Sequence, residues 1–150
     1  MLIRKATLND LKRIQELNNE LFELELANFD KYLIKNWPLS DEGREYFETA
    51  IKESFVIVAE IDNKIVGYLL GEESNIPYYN FKIAELCNMC VDNNYRKQGI
   101  GNALYKEFEN SYKKQGISHF IVTASFKNEN AKAFYKKMGF TEANSTFVKF

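Results

Sequence analysis

Proline and cysteine each occur only twice in the 150 residues, and histidine and tryptophan once. Two cysteines cannot build a disulfide framework, so the fold has to be held by its core. A lone histidine, His119, leaves no His-assisted nucleophile constellation, and Cys87-x-x-Cys90 would need further ligands to hold zinc. Those two cysteines are three apart in a strand pattern, which is expected to turn their thiols to opposite faces. No apolar run approaches the ~20 residues of a membrane span, and Met1-Leu2-Ile3-Arg4 does not read as a signal sequence. A soluble, cytoplasmic protein is expected. Internal repeats, low-complexity tracts and linkers are absent, so residues 1–150 read as one domain.

What is present is apolar and aromatic: 45% hydrophobic residues, with 12 Phe and 9 Tyr. A chain of this length buries roughly 70% of its unfolded surface, enough for a full core without metal or disulfide. The net charge of −1 argues against a nucleic-acid binder. The charges are uneven: residues 1–75 carry 9 Lys/Arg against 15 Asp/Glu, and residues 76–150 carry 11 against 6. An acidic half beside a basic half suits a cationic ligand held next to an anionic one, and equally suits two solvated surfaces.

Leu2 to Ala6 reads as a short strand, and Leu11, Ile14, Leu17, Leu21 and Leu24 recur at helical spacing, predicting a helix over 8–26. Asn28 to Ser40 is a connector, and Asp41 to Glu53 a second, more exposed helix. Phe55 to Glu60 and Lys64 to Leu70 flank Asp62-Asn63, the pattern of an antiparallel hairpin. A loop over 71–80, a strand over 82–91, a helix ending at Gly116 and a strand over 117–124 follow. Strand, helix, strand makes a βαβ unit, so the strands at 82–91 and 117–124 are expected to be parallel in an otherwise antiparallel sheet. A helix over 128–138, stopped by Gly139, and a closing strand or strands over 140–150 complete the chain. The expectation is an α/β fold: a mixed sheet of six or seven strands, splayed near the βαβ unit, with about four helices.

The turn Arg96-Lys97-Gln98-Gly99-Ile100-Gly101-Asn102-Ala103 lies between a strand and a helix. Glycines there let a ligand approach the backbone, and the first helical amides point outward with the positive end of the macrodipole behind them. A pyrophosphate site is one reading and a purely structural turn the other. It is not a Walker A loop, since no Gly-Lys-Ser/Thr follows, nor a dinucleotide fingerprint, since Leu104 stands where the third glycine belongs.

This turn after Cys90-Val91-Asp92, followed by Asn128-x-x-Ala131-x-x-x-Tyr135-x-x-x-Gly139-Phe140, resembles the acetyl-CoA core of the GNAT superfamily of N-acetyltransferases. The element order of nearly the whole chain agrees; the family turn often has Pro where Asn93 or Asn94 stands. The resemblance implies a single GNAT-like domain transferring acetyl from acetyl-CoA, with no metal, to a primary amine of a small molecule or protein. It implies that Met89, Cys90 and Val91 pair with the pantetheine arm and that Arg96, Lys97, Gln98, Gly99, Ile100, Gly101 and Asn102 hold the pyrophosphate. Asn128 would contact the pantetheine, its other role being a helix N-cap. Tyr135, otherwise a core aromatic, would protonate the leaving thiolate, a role suited to a phenol of pKa ~10.

Glu85 is the second candidate catalytic residue. An amine of lysine type is neutral in only about 0.04% of molecules at pH 7, so transfer needs a proton acceptor. Glu85 lies between Ala84 and Leu86 in an apolar strand, matching the general-base glutamate of some relatives; the alternative is an exposed strand-edge side chain. Phe22, Glu23, Glu25, Phe29, Trp37, Tyr78 and Tyr79 stand where relatives build the acceptor pocket, and carboxylates with aromatic faces favour a cation. Homodimers are frequent in similar proteins. Two other functions stay open: a CoA-sensing module without turnover, and an enzyme using Cys87 or Cys90 as nucleophile.

Overall fold

The computed structural model describes residues 1–149. Five strands and four α-helices run in the order β1 (Leu2–Lys5), α1 (Leu11–Asn28), α2 (Asp41–Glu53), β2 (Phe55–Ile61), β3 (Lys64–Ser74), β4 (Ile83–Val91), α3 (Ile100–Lys113), β5 (His119–Val122), α4 (Glu129–Lys137). The sheet order is β1-β2-β3-β4-β5, antiparallel except for the parallel β4–β5 pair, as the βαβ argument requires.

Local chemistry sets the elements. Asp62 and Asn63 both take left-handed φ, 49° and 62°, the geometry of a two-residue hairpin turn matched to strand twist. The Ser40 hydroxyl accepts from the Gly43 amide at 3.1 Å and caps α2, whose first turn carries Asp41 and Glu42 where the dipole favours anions. On α1, Leu11, Ile14 and Leu17 are buried, whereas Leu24, expected on the same stripe, is exposed. One face of the sheet, with Ile57, Leu69 and Leu86, packs on Leu104 and Phe108 of α3; the other, with Val58, Tyr68 and Leu70, packs on Leu17 of α1 and Phe47 of α2.

Two expectations fail. Among the described residues the sheet has five strands, not six or seven, because no closing strand forms over 141–149; Phe150 lies outside the described residues. The run Thr141-Glu-Ala-Asn-Ser-Thr146 has no apolar alternation to lay on a core, and Phe147 and Val148 are left exposed. Conversely, β3 runs on to Ser74, four residues into the expected loop.

The β3–β4 register carries the feature that shapes the site. Leu70 opposes Asn88 and Gly71 opposes Leu86, so Cys87 is an extra residue, a β-bulge. The bulge turns Cys87 to the α1/α2 face, where Cys90 also packs. The expectation of opposite faces is therefore wrong, although both thiols are free. The β4–β5 pairing ends at Leu86↔Val122, which leaves that edge of β4 from Cys87 to Val91 without a strand partner among the described residues.

Candidate functional site

The candidate site lies where the unpartnered end of β4 leads through a turn into the start of α3. At the start of the turn the Asp92 Oδ1 accepts from the Asn94 amide at 2.8 Å. Lys97 and Gly99 take left-handed φ of 61° and 80°, swinging the chain into α3. The first helical bond is Ala103 N to Gly99 O at 3.0 Å, so the amides of Ile100, Gly101 and Asn102 lie outside the ladder at the positive end of the helix. A Cβ at Gly99 would meet nothing within 4 Å. At Gly101 it would point at the Phe134 ring, 3.5 Å away, and at Met89. The Phe134 ring of α4 and the Met89 side chain of β4 therefore face the start of α3 at Gly101. Arg96, Lys97 and Gln98 are exposed on the turn. The Arg96 Nε donates to Val91 O at 2.9 Å, so a side chain already occupies one edge carbonyl expected to meet a ligand. The buried Asn102 Oδ1 has no partner among the described residues.

Asn128 is buried and spans two elements. Its Oδ1 accepts from the Ala131 amide at 3.0 Å as the cap of α4, and its Nδ2 donates to Glu25 Oε1 of α1 at 3.2 Å. Seven residues on, Tyr135 packs edge-on against Phe134 and Phe140. Burial, and then the charge of Glu25, push its phenol up to about 12, so it keeps its proton at neutral pH. Glu25 is itself pushed above the usual carboxylate range, first by burial and then by Asp30, with the Asn128 bond opposing.

Glu85 is half-buried on β4, directly across from Glu72 of β3. It sits on the side of the bulge facing α2, where the Tyr46 phenol is raised by burial, by Cys87 and by Glu72 and Glu85. Behind the bulge, Asn18 donates to the buried Tyr68 hydroxyl at 2.8 Å, which donates to Asn88 Oδ1 at 2.6 Å. The sequence reading missed Asn18, Tyr68 and Asn88. An asparagine one residue past Leu17 and a tyrosine inside an apolar strand were the available signals, because a buried hydroxyl needs a partner. Phe22 stacks on Trp37 at 5.8 Å and Trp37 meets Tyr46 edge-on, forming an aromatic wall above α1. Tyr78 and Tyr79 belong to a separate stack, with Tyr79 on Phe81 and Phe81 on His119.

Burial, together with Glu72 and Glu85, pushes the Cys87 thiol up to about 12; burial, against the pull of Arg96, pushes Cys90 up to about 11. Neither is a thiolate at rest. Among the described residues no group of His, Cys, Asp or Glu could hold a metal, and no helix is long and apolar enough to cross a membrane.

Residues 19–149 match the family model of the acetyltransferase (GNAT) domain. The chain belongs to the GNAT acetyltransferases. Two uncharacterized N-acetyltransferases of Methanocaldococcus jannaschii are 27% and 32% identical over 95% and 93% of this GNAT chain, which spans 79% and 60% of their lengths. A tetramutant of a Bacillus halodurans protein shares the GNAT fold, with a TM-score of 0.90 at 23% identity over 99% of both chains. An aminoglycoside acetyltransferase from an uncultured soil metagenomic sample, solved with trehalose, has a TM-score of 0.74 at 28% identity over 99% of this chain and 93% of its own.

Proposed function

We propose that residues 1–150 form one N-acetyltransferase domain that uses acetyl-CoA to acetylate a primary amine by direct transfer in a ternary complex. The observation that carries this reading is the juxtaposition of three unladdered amides at the start of α3 with the unpaired edge of β4, open at Gly99. Gly99, Ile100, Gly101 and Asn102 would hold the pyrophosphate through main-chain N–H groups, with Arg96, Lys97 and Gln98 on the rim. Met89, Cys90 and Val91 would meet the pantetheine arm, and the remaining N–H of the Asn128 amide would reach it from α4. The bound cosubstrate supplies an acyl group activated as a thioester.

The chain's own residues supply the proton handling. Tyr135, half-buried on α4, keeps its proton at neutral pH, as a general acid must before it gives it up. Glu85 receives the proton of the amine. A strand amide near Met89 would offer a fixed dipole for charge that develops on the carbonyl oxygen. A cysteine nucleophile is disfavoured by the two raised thiols.

The test follows release of free thiol from acetyl-CoA across a panel of primary amines, with Tyr135→Phe beside the wild type. The expected result is amine-dependent release that falls by about 10² or more in the variant, the usual scale of general-acid catalysis, with CoA affinity unchanged. Cofactor binding without amine-dependent release, or release indifferent to Tyr135→Phe, would favour a non-catalytic CoA-binding module or a different acid.

A further inference from the structure

Strand pairing fixes where each amide of β4 points. The Asp92 amide donates to Val66 O of β3 at 2.9 Å, and this pair continues the register Leu70↔Asn88, Leu69↔Met89, Tyr68↔Cys90, Gly67↔Val91. Main-chain groups alternate along an antiparallel strand, so Asn88 and Cys90 also turn toward β3, whereas Met89 and Val91 turn to the unpartnered edge. The Arg96 bond to Val91 O agrees with that direction. The Met89 amide points out of the sheet only because of the bulge. From Ser74↔Ile83 to Gly71↔Leu86 the strands run in a different register. If that register continued past Leu86, Cys87 would oppose Leu70 and Met89 would oppose Tyr68; the Met89 amide would turn into β3 and the Asn88 side chain would swing to the α3 face.

A bulge disrupts the ladder locally, so the choice between the two registers needs a further contact. The buried polar chain behind the bulge stands at that point. Asn18 of α1 donates to the Tyr68 hydroxyl at 2.8 Å, and the hydroxyl donates to Asn88 Oδ1 at 2.6 Å. The Tyr68 ring is fully buried and sits edge-on against Phe47 of α2, and Asn18 is buried with it. Burial raises the Tyr68 phenol well above its ordinary range, so it stays a neutral donor. A slip would carry Asn88 to the other face and leave this buried hydroxyl without its acceptor, which is costly. We propose that Tyr68, oriented by Asn18, is a positioning residue that pins β4 in its bulged register and so keeps the Met89 amide aimed out of the sheet.

The purpose of the pin rests on the proposed acetyl transfer, in which that amide faces the thioester carbonyl; the pin itself is readable without any ligand. It also accounts for a polar chain placed inside an apolar core. Side chains of the same shape without polar atoms would fill the space, but they would not distinguish one register from the other, whereas a buried polar pair does.

The experiment is water-exchange NMR on the full 15N-labelled chain without ligand, wild type against Tyr68→Phe, which keeps the ring and removes the hydroxyl. Exchange should slow at Met89 and Val91, which gain partners on β3, and quicken at Asn88 and Cys90, which lose theirs. Each change should be about threefold or more, as when about two thirds of the molecules have slipped. General loosening drives all these amides toward faster exchange, so the opposite signs separate positioning from stability. Deleting Cys87 in the Tyr68→Phe background removes the residue that makes two registers possible and should restore the wild-type pattern. Asn18→Ala, which alters no strand residue, should give the same opposed pattern to a smaller extent and decides the matter if Tyr68→Phe does not fold. Unchanged exchange, faster exchange at all these amides, or no recovery on deleting Cys87 would each overturn the inference. Amine-dependent thiol release from acetyl-CoA should fall with the bulged population, about threefold or more in Tyr68→Phe; full turnover in a slipped variant would overturn the link to Met89. A wild type that releases no thiol would remove the transferase reading and leave the exchange pattern to decide the pin.

Discussion

Replacing Asn128 by alanine severs one local bond, the cap of α4, and one bond to a distant part of the chain. The cap on the Ala131 amide is lost, which typically costs about 1 kcal/mol. The donor to Glu25 is lost as well. A hydrogen bond to a charged group contributes about 1.5–3 kcal/mol, but Glu25 is only half-buried and water recovers part of that, leaving about 1 kcal/mol. The total is about 2 kcal/mol, or about 4–8 °C in Tm for a domain of this size. Urea unfolding of wild type, Asn128→Ala, Glu25→Ala and the double variant reads the parts separately. The coupling energy between the two positions should be about 1 kcal/mol, with unchanged m-values. A further variant, Asn128→Asp, keeps the cap but sets a second carboxylate against Glu25. Its loss relative to wild type should be present where both groups are ionised and fade as pH falls and either takes a proton. Coupling below about 0.3 kcal/mol, the usual noise of additivity, would refute the claim that Asn128 ties α1 to α4.

Other consequences follow from single contacts. A Cβ on Gly71 would lie 2.4 Å from the Phe108 ring of α3, so Gly71→Ala should lose about 1–3 kcal/mol by overpacking, and Phe108→Leu should relieve part of that loss. With thiols pushed up to about 12 and 11, Cys87 and Cys90 should resist iodoacetamide at neutral pH in the folded protein and react once it is unfolded in urea; rapid labelling of the native chain, read by intact mass, would contradict the assignment of both as neutral thiols at rest.

The parts of the molecule legible in the sequence are those encoded over a few residues. Asp62-Asn63 announces its hairpin because both residues tolerate left-handed φ. The Gly99 turn announces a helix start with exposed amides, and the parallel β4–β5 pair follows from chain connectivity. What stayed hidden depends on partners far along the chain. The Asn128–Glu25 bond spans 103 positions, and nothing local to either residue signals it. The bulge at Cys87 is set by the register of two strands, and it moved a thiol to the face that simple alternation denied it. The closing strand failed for a different reason: Phe147 and Val148 look like strand residues, but the polar run before them supplies no face to bury. Leu24 shows the limit of periodicity too, since a helical stripe is buried only as far as something lies beneath it.

The central claim is that main-chain amides at the start of α3 and the unpaired edge of β4 form a seat for a CoA thioester. Isothermal titration of the full chain with CoA tests it most directly. The account predicts saturable heat at one site per chain, weakened by added salt as expected for phosphate contacts, and strongly reduced by Gly101→Val, whose side chain would project toward Phe134 and Met89. No heat with CoA, or equal heat in Gly101→Val, would contradict it.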